Sequence, residues 1–132
     1  MKTAKDVMTT QVVSVRPHEK ARSALVHILI GQYSGMPVVN ELGQVVGVIS
    51  AFDLVRVIQK NISLDKIAVA EVMSKSPLTV DCSEPIDRVI DVMIEKGFIR
   101  VPVTENGKLV GVISRSDILK SYYEAEQVST IY

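Results

Sequence analysis

Two short stretches, Ser114-Arg115-Ser116-Asp117 and Ser50-Ala51-Phe52-Asp53, put hydroxyls and a carboxylate where a Val/Ile-rich run gives way to a helical pattern. A helix N-terminus carries unpaired N–H groups and a partial positive charge, a favourable place for phosphate. Ser114 and Ser116 can add hydroxyl donors to phosphate oxygens, and the Asp117 carboxylate can accept hydrogen bonds from two neighbouring hydroxyls. Arg100 lies beside the same place on the preceding strand, where a guanidinium can grip phosphate with two parallel bonds. The Ser-x-x-Asp spacing is also that of a capping box, the serine capping the helix and the aspartate reaching back to a backbone N–H. Ligand contact and capping both stay open, and one pair of residues can do both.

Other chemistry has less support. His18 and His27 have no cysteine or carboxylate at metal-binding spacing, so no metal site is expected, and His27 reads as bordering a helix face. Cys82 is the one cysteine, so no intramolecular disulfide can form, which fits a reducing compartment. No base is identifiable beside it, and it reads as a small, partly buried residue. Gly43, Gly47, Gly107 and Gly111 have the wrong spacing for a phosphate loop or dinucleotide fingerprint and read as turn and close-approach glycines. Met8, Met36, Met73 and Met93 fall at apolar positions and read as core. No catalytic residue is expected, and the chain reads as a binding module and not an enzyme.

The 15 Lys and Arg residues balance 15 Asp and Glu, which argues against a general nucleic-acid binder. The longest apolar stretch, residues 24–30, contains His27 and is too short to cross a bilayer; no apolar signal segment follows the charged N-terminus. A soluble, cytoplasmic protein without membrane insertion is expected. Without tryptophan, its core must be aliphatic.

The elements that carry the two stretches occur twice. Val7-Met8-Thr9 returns as Val72-Met73-Ser74, and Met36-Pro37-Val38-Val39 as Val101-Pro102-Val103-Thr104. Val46-Gly47-Val48-Ile49-Ser50-Ala51-Phe52-Asp53-Leu54 returns as Val110-Gly111-Val112-Ile113-Ser114-Arg115-Ser116-Asp117-Ile118. The offset changes by one residue, where Asn40-Glu41-Leu42-Gly43 shortens to Glu105-Asn106-Gly107. An indel at a hairpin tip preserves both strand registers, so the repeat is structural.

Each repeat predicts a short extended piece (residues 12–15; 78–80), a helix (19–31; 85–96) and two strands (36–39 with 45–49; 101–104 with 109–113). A second helix follows from Ser50 or Ser114. Gly31 and Gly97 close the first helices, and Asn106-Gly107 is a hairpin signal. Residues 60–66 read as a polar connection and 124–132 as a helix end with a frayed tail. The expected fold is α/β (α+β): two pseudo-twofold-related β-α-β-β-α repeats, residues 1–62 and 63–132, packed through their sheets.

The repeated V-M-T start, apolar-Pro-Val strand and Gly-Val-Ile-Ser-x-x-Asp junction resemble the cystathionine-β-synthase (CBS) domain. The pair, spanning about residues 7–122, resembles a CBS pair or Bateman module. With no room for an attached enzyme, the chain is similar to the stand-alone kind.

The resemblance implies no chemistry and no required cofactor. It implies regulatory binding of adenosine-containing ligands (AMP, ADP or ATP) in inter-repeat clefts, and modulation of a partner enzyme or transporter. It gives Asp117 the ribose hydroxyls, and it gives the adenine contacts to the strand before the proline, here Ile99 and Val101, with Pro102 in the same cleft. The opposite repeat's first strand brings in Thr9, Thr10 and Val12. The second cleft is formed by Ser34, Met36, Pro37, Ser50 and Asp53, with Lys75 and Ser76 from the opposite repeat. There Phe52 stands for Ser116 and Gly35 for Arg100, so it is expected to bind phosphate more weakly or to take a less charged ligand. Apolar helix positions such as Leu54, Val55, Val57, Ile58, Ile118 and Leu119 predict a twofold homodimer. The alternative is a dimerisation or scaffold module with vestigial clefts.

Overall fold

The structure is a computed structural model that describes residues 2–31 and 33–131. In chain order the elements are α1 (Ala4–Val7), α2 (Ala21–Gly31), β1 (Gly35–Val39), β2 (Val45–Ser50), α3 (Ala51–Gln59) and α4 (Val69–Val72), followed by β3 (Ser74–Lys75), β4 (Val80–Asp81), α5 (Ile86–Lys96), β5 (Arg100–Glu105), β6 (Lys108–Ser114) and α6 (Arg115–Ile131). The fold is mixed α/β, with two three-stranded sheets ordered β1-β2-β3 and β4-β5-β6. The last helix runs to Ile131, so the helix end expected over 124–132 extends further than the frayed tail allowed, with Tyr132 outside the described residues; Glu124 to Glu126 continue a good helix-forming run.

Two compact units form, and they are not the two sequence halves. Val13–Pro77 makes one, here the Asp53 unit, while Met1–Val12 joins Leu78–Tyr132 in the other, the Asp117 unit. Each V-M-T/S segment thus packs with the hairpin of the opposite repeat. Thr9 forms a bridge with Val112 beside β6, and Ser74 takes the same place against Val48 beside β2. On the other edge, Val15 runs parallel to Val38 as Val80 does to Val103.

The glycine shared by both hairpins makes the crossing possible. A Cβ on Gly111 would lie 2.5 Å from the Met8 sulfur and 2.9 Å from the Thr9 carbonyl oxygen; one on Gly47 would meet Met73 and Ser74 at the same distances. The helices before these segments have four residues each and lean on a carboxylate. The Thr3 N–H donates to Asp6 Oδ2 at 2.8 Å, and the Ala68 N–H donates to Glu71 Oε2 at 2.9 Å. Hydrogen bonds from the Thr3 backbone and hydroxyl hold Asp6 below the usual carboxylate range.

Each unit has its own aliphatic core. Val15, Ala24, Val38, Ile49, Leu54 and Val69 fill the Asp53 unit; Ala4, Val89, Val101, Val103 and Ile113 fill the Asp117 unit, with Met8 and Cys82 against them. Asn106 and Gly107 both have positive φ and link β5 to β6 directly, as a type I′ turn requires. Gly97 ends α5 in the left-handed conformation with φ 70°. Among the described residues no helix is long and apolar enough to cross a membrane.

Candidate functional site

In the Asp117 unit the strand-to-helix junction is held from three sides. The Ser114 N–H donates to Asp117 Oδ2 at 2.8 Å, and the Asp117 N–H donates to Ser114 Oγ at 3.1 Å. The capping box expected as one reading of the sequence is therefore formed. It leaves Oδ1, which accepts the Thr9 hydroxyl at 2.9 Å. Thr9 is aimed there because its backbone N–H and carbonyl both bond Val112, each at 2.9 Å. Residues 108 positions apart in sequence thus meet in one unit.

Arg100 begins β5 directly opposite Ser114 in the ladder. Opposed residues of an antiparallel pair face the same side of the sheet, so the guanidinium rises from the face that carries Ser114. Ile99 is exposed, and its carbonyl accepts the Arg115 N–H at 3.0 Å. Two of the first three N–H groups of α6, those of Arg115 and Asp117, are thus spent inside the protein. Ser116 is exposed at the second position, its side chain open to solvent. Val101 and Pro102 are buried and pair with Ile113 and Val112. Thr10 is exposed and Val12 half-buried, and among the described residues no hydrogen bond ties either to Ser114 or Asp117.

The Asp53 unit repeats the frame and changes the contents. The Ser50 N–H donates to Asp53 Oδ2 at 2.9 Å, and the Asp53 N–H donates to Ser50 Oγ at 3.1 Å. Here Oδ1 accepts Arg56 Nη1 at 3.0 Å, and the guanidinium also lies 4.7 Å from the centre of the Phe52 ring. Asp53 is buried, whereas Asp117 is half-buried.

Ser34 is exposed, and its carbonyl accepts the Ala51 N–H at 2.9 Å; Met36 and Pro37 are buried on β1. Gly35 sits opposite Ser50, the counterpart of Arg100 opposite Ser114. A Cβ there would come within 2.8 Å of the Ile49 carbonyl oxygen. Lys75 and Ser76 are exposed, Lys75 paired with Gly47 in β3. Arg56 is the residue the sequence analysis missed. Its spacings, i,i+3 from Asp53 and i,i+4 from Phe52, are the helical neighbour spacings that would have found it.

Elsewhere, burial pushes the Glu19 carboxyl up, but hydrogen bonds from the Arg16 N–H and the Ser23 hydroxyl, with His18 and His27 nearby, hold it below its ordinary value. Among the described residues no group of three His, Cys, Asp or Glu could hold a metal ion.

This repeated frame is that of a known family. The family model described as "CBS domain" matches residues 4–60 and 69–124, so the chain belongs to the CBS domain family. Among solved structures it is similar to CBSX2, a CBS-pair protein of Arabidopsis thaliana: 27% identity, 96% of this chain and 97% of that one covered, TM-score 0.85. The same CBSX2 in complex with AMP gives 28% identity, coverage of 96% and 99%, and TM-score 0.85. An uncharacterized conserved protein from Pyrococcus horikoshii shows 27% identity, 92% coverage of both chains and TM-score 0.77. Among curated proteins the chain is 27% identical over 117 residues to uncharacterized protein MK0525 of Methanopyrus kandleri, covering 87% of this chain and 60% of that protein. The chain therefore spans less than two thirds of that relative.

Proposed function

We propose that the chain is a regulatory module, not an enzyme, that binds an adenosine-containing nucleotide, AMP, ADP or ATP, at the Asp117 site and passes occupancy to a partner protein in the cytoplasm. The observation that carries this reading is the Thr9–Asp117 hydrogen bond. It holds a carboxylate oxygen and a hydroxyl side by side at a partly exposed junction, beside the Ser116 hydroxyl and on the sheet face of Arg100.

In this reading Asp117 accepts from the ribose hydroxyls. Ser116 and Arg100 take phosphate, with Thr9 orienting Asp117 and Ser114 holding the helix start, and Ile99, Val101 and Pro102 border the base near Thr10 and Val12. The weaker second site uses Ser50, Asp53, Ser34, Met36 and Pro37, with Lys75 as its cation and Ser76 adding a hydroxyl. The AMP complex of CBSX2, 28% identical, supports the ligand class.

A thermal-shift screen against AMP, ADP, ATP, S-adenosylmethionine and NAD tests it. A ligand at a hundredfold excess over its dissociation constant adds about 2.7 kcal/mol to stability, which displaces the midpoint by several degrees. No displacement by any of the five would favour the second reading, a dimerisation or scaffold module.

Exposed apolar side chains on the helices speak for assembly in either case: Leu29 and Ile30 on α2, Val55 and Ile58 on α3, Ile94 on α5 and Leu119 on α6. Between α5 and α6, Ile94 and Leu119 line an open groove of about 430 Å³ with Met93, Phe98 and Ile118. A second copy of the chain, through these helix faces, is the occupant proposed. Sedimentation is expected to show a dimer at micromolar concentration, and a monomer alone would contradict it.

A further inference from the structure

The Asp53 site differs from the Asp117 site by more than what it lacks. Its second carboxylate oxygen, whose counterpart meets Thr9 in the other unit, is taken by Arg56 from the same helix at 3.0 Å. The arginine is held in that position from a second side by the Phe52 ring at 4.7 Å. The partnership is unequal: the Asp53 side chain is 10% exposed and the Arg56 side chain 59%. The buried carboxylate is thus bonded on one oxygen by the Ser50 N–H and on the other by a largely exposed guanidinium.

In α6 the equivalent positions are Ser116 and Lys120, which offer no ring and no fork; Lys120 is exposed, and no ion pair joins it to Asp117. Phe52 and Arg56 therefore work as a pair, one tooth of a helix gripping a carboxylate and the next tooth steadying it.

We propose that Arg56 is an internal occupant of the Asp53 site. It takes the acceptor that a ribose hydroxyl would use, so that each chain binds one adenosine nucleotide at Asp117 and the Asp53 site stays closed while Arg56 is in place. This rests on the adenosine-binding reading above and deepens it: the charge that closes the site belongs to the chain itself. A nucleotide that competes for Asp53 must break a charge-assisted bond and unstack a guanidinium, and it offers the carboxylate only the neutral ribose hydroxyls in exchange.

Calorimetric titration of AMP into the full chain tests the proposal through stoichiometry. The wild type is expected to bind one AMP per chain, lost in Asp117→Ala. Arg56→Ala is expected to raise affinity at the Asp53 site about tenfold, the scale of one charge-assisted hydrogen bond, and to bring stoichiometry to two per chain. Arg56→Ala in the Asp117→Ala background is expected to restore one AMP. Phe52→Ser, which removes only the stacking surface, opens the site part-way and serves where Arg56→Ala fails to fold.

Two AMP per chain in the wild type, or one per chain in Arg56→Ala and Phe52→Ser alike, would overturn the proposal while leaving the adenosine reading intact. No binding by the wild type or any variant would overturn both.

Discussion

The two strand-to-helix junctions share a backbone and differ in who holds the second carboxylate oxygen. In both, serine and aspartate close a capping box with bonds of 2.8–3.1 Å. At Asp117 the remaining oxygen meets a threonine hydroxyl from a segment more than a hundred residues away; at Asp53 it meets an arginine one helical turn on. The frame is thus set by local sequence, which the repeat copied faithfully. The chemistry is set where the repeats diverge, at Phe52 against Ser116 within the motif and at Arg56 against Lys120 just beyond it. A Ser-x-x-Asp motif therefore identifies the junction and leaves open what the junction can bind.

The largest expected effect concerns what the units share. Gly111→Val and Gly47→Val each force a side chain onto Met8 or Met73 and onto the carbonyl beside it. Each is expected to cost about 3 kcal/mol by chemical denaturation, the upper range for overpacking. If one were tolerated and the other not, the two crossings would not be equivalent.

Next come the aspartates, where the units are expected to part. Asp117→Ala is expected to weaken AMP by about 1.5–3 kcal/mol, the scale of hydrogen bonds to a charged group. Asp53→Ala is expected to leave AMP affinity nearly unchanged while losing about 1 kcal/mol of stability as the helix start loses its reach-back bond. Calorimetry that gave the reverse order would exchange the roles of the two sites.

Arg100 sharpens the difference in charge. Arg100→Ala is expected to weaken AMP about tenfold, again the scale of a charge-assisted bond, and to leave adenosine unaffected. Arg100→Lys is expected to recover part of the loss, because an ammonium lacks the planar fork. AMP affinity is also expected to fall with added salt. Equal losses for AMP and adenosine would take Arg100 off the phosphate.

Much of this was legible in the chain because it follows from local rules. Alternating Val and Ile made the strands, Asn106-Gly107 the tight turn, and Gly97 the end of α5. The capping boxes were readable from spacing alone. The short helices α1 and α4 were not foreseen, since four residues carry no periodicity and stand only through Asp6 and Glu71. The exchange of segments between units left no local mark either. Met8 and Gly111 each look ordinary alone, and only their contact shows why the glycine must lack a side chain. Arg56 carries no mark of the repeat: it lies two residues past the shared stretch ending at Leu54, and Lys120 stands in its place in the other copy.

The smallest expected effect is on acid stability. Glu19 is held below its ordinary value in the folded protein, so the stability it contributes is complete above about pH 4, the unfolded carboxylate range, and is lost as pH falls through its lower folded value. Glu19→Gln is expected to flatten that limb by less than about 1 kcal/mol, the range for part-exposed groups. Denaturation midpoints at pH 7 and pH 3 check it, and an unchanged slope would remove Glu19 from the acid response of the Asp53 unit.

The central claim is that an adenosine nucleotide binds at the Thr9–Asp117 junction, and backbone amide NMR during an AMP titration tests it most directly. The predicted result is saturable movement of the amide signals of Thr9, Ser114, Ser116 and Asp117, with those of Ser50, Phe52 and Asp53 left in place. Movement confined to the Ser50–Asp53 signals, or none at either junction at millimolar AMP, would contradict it.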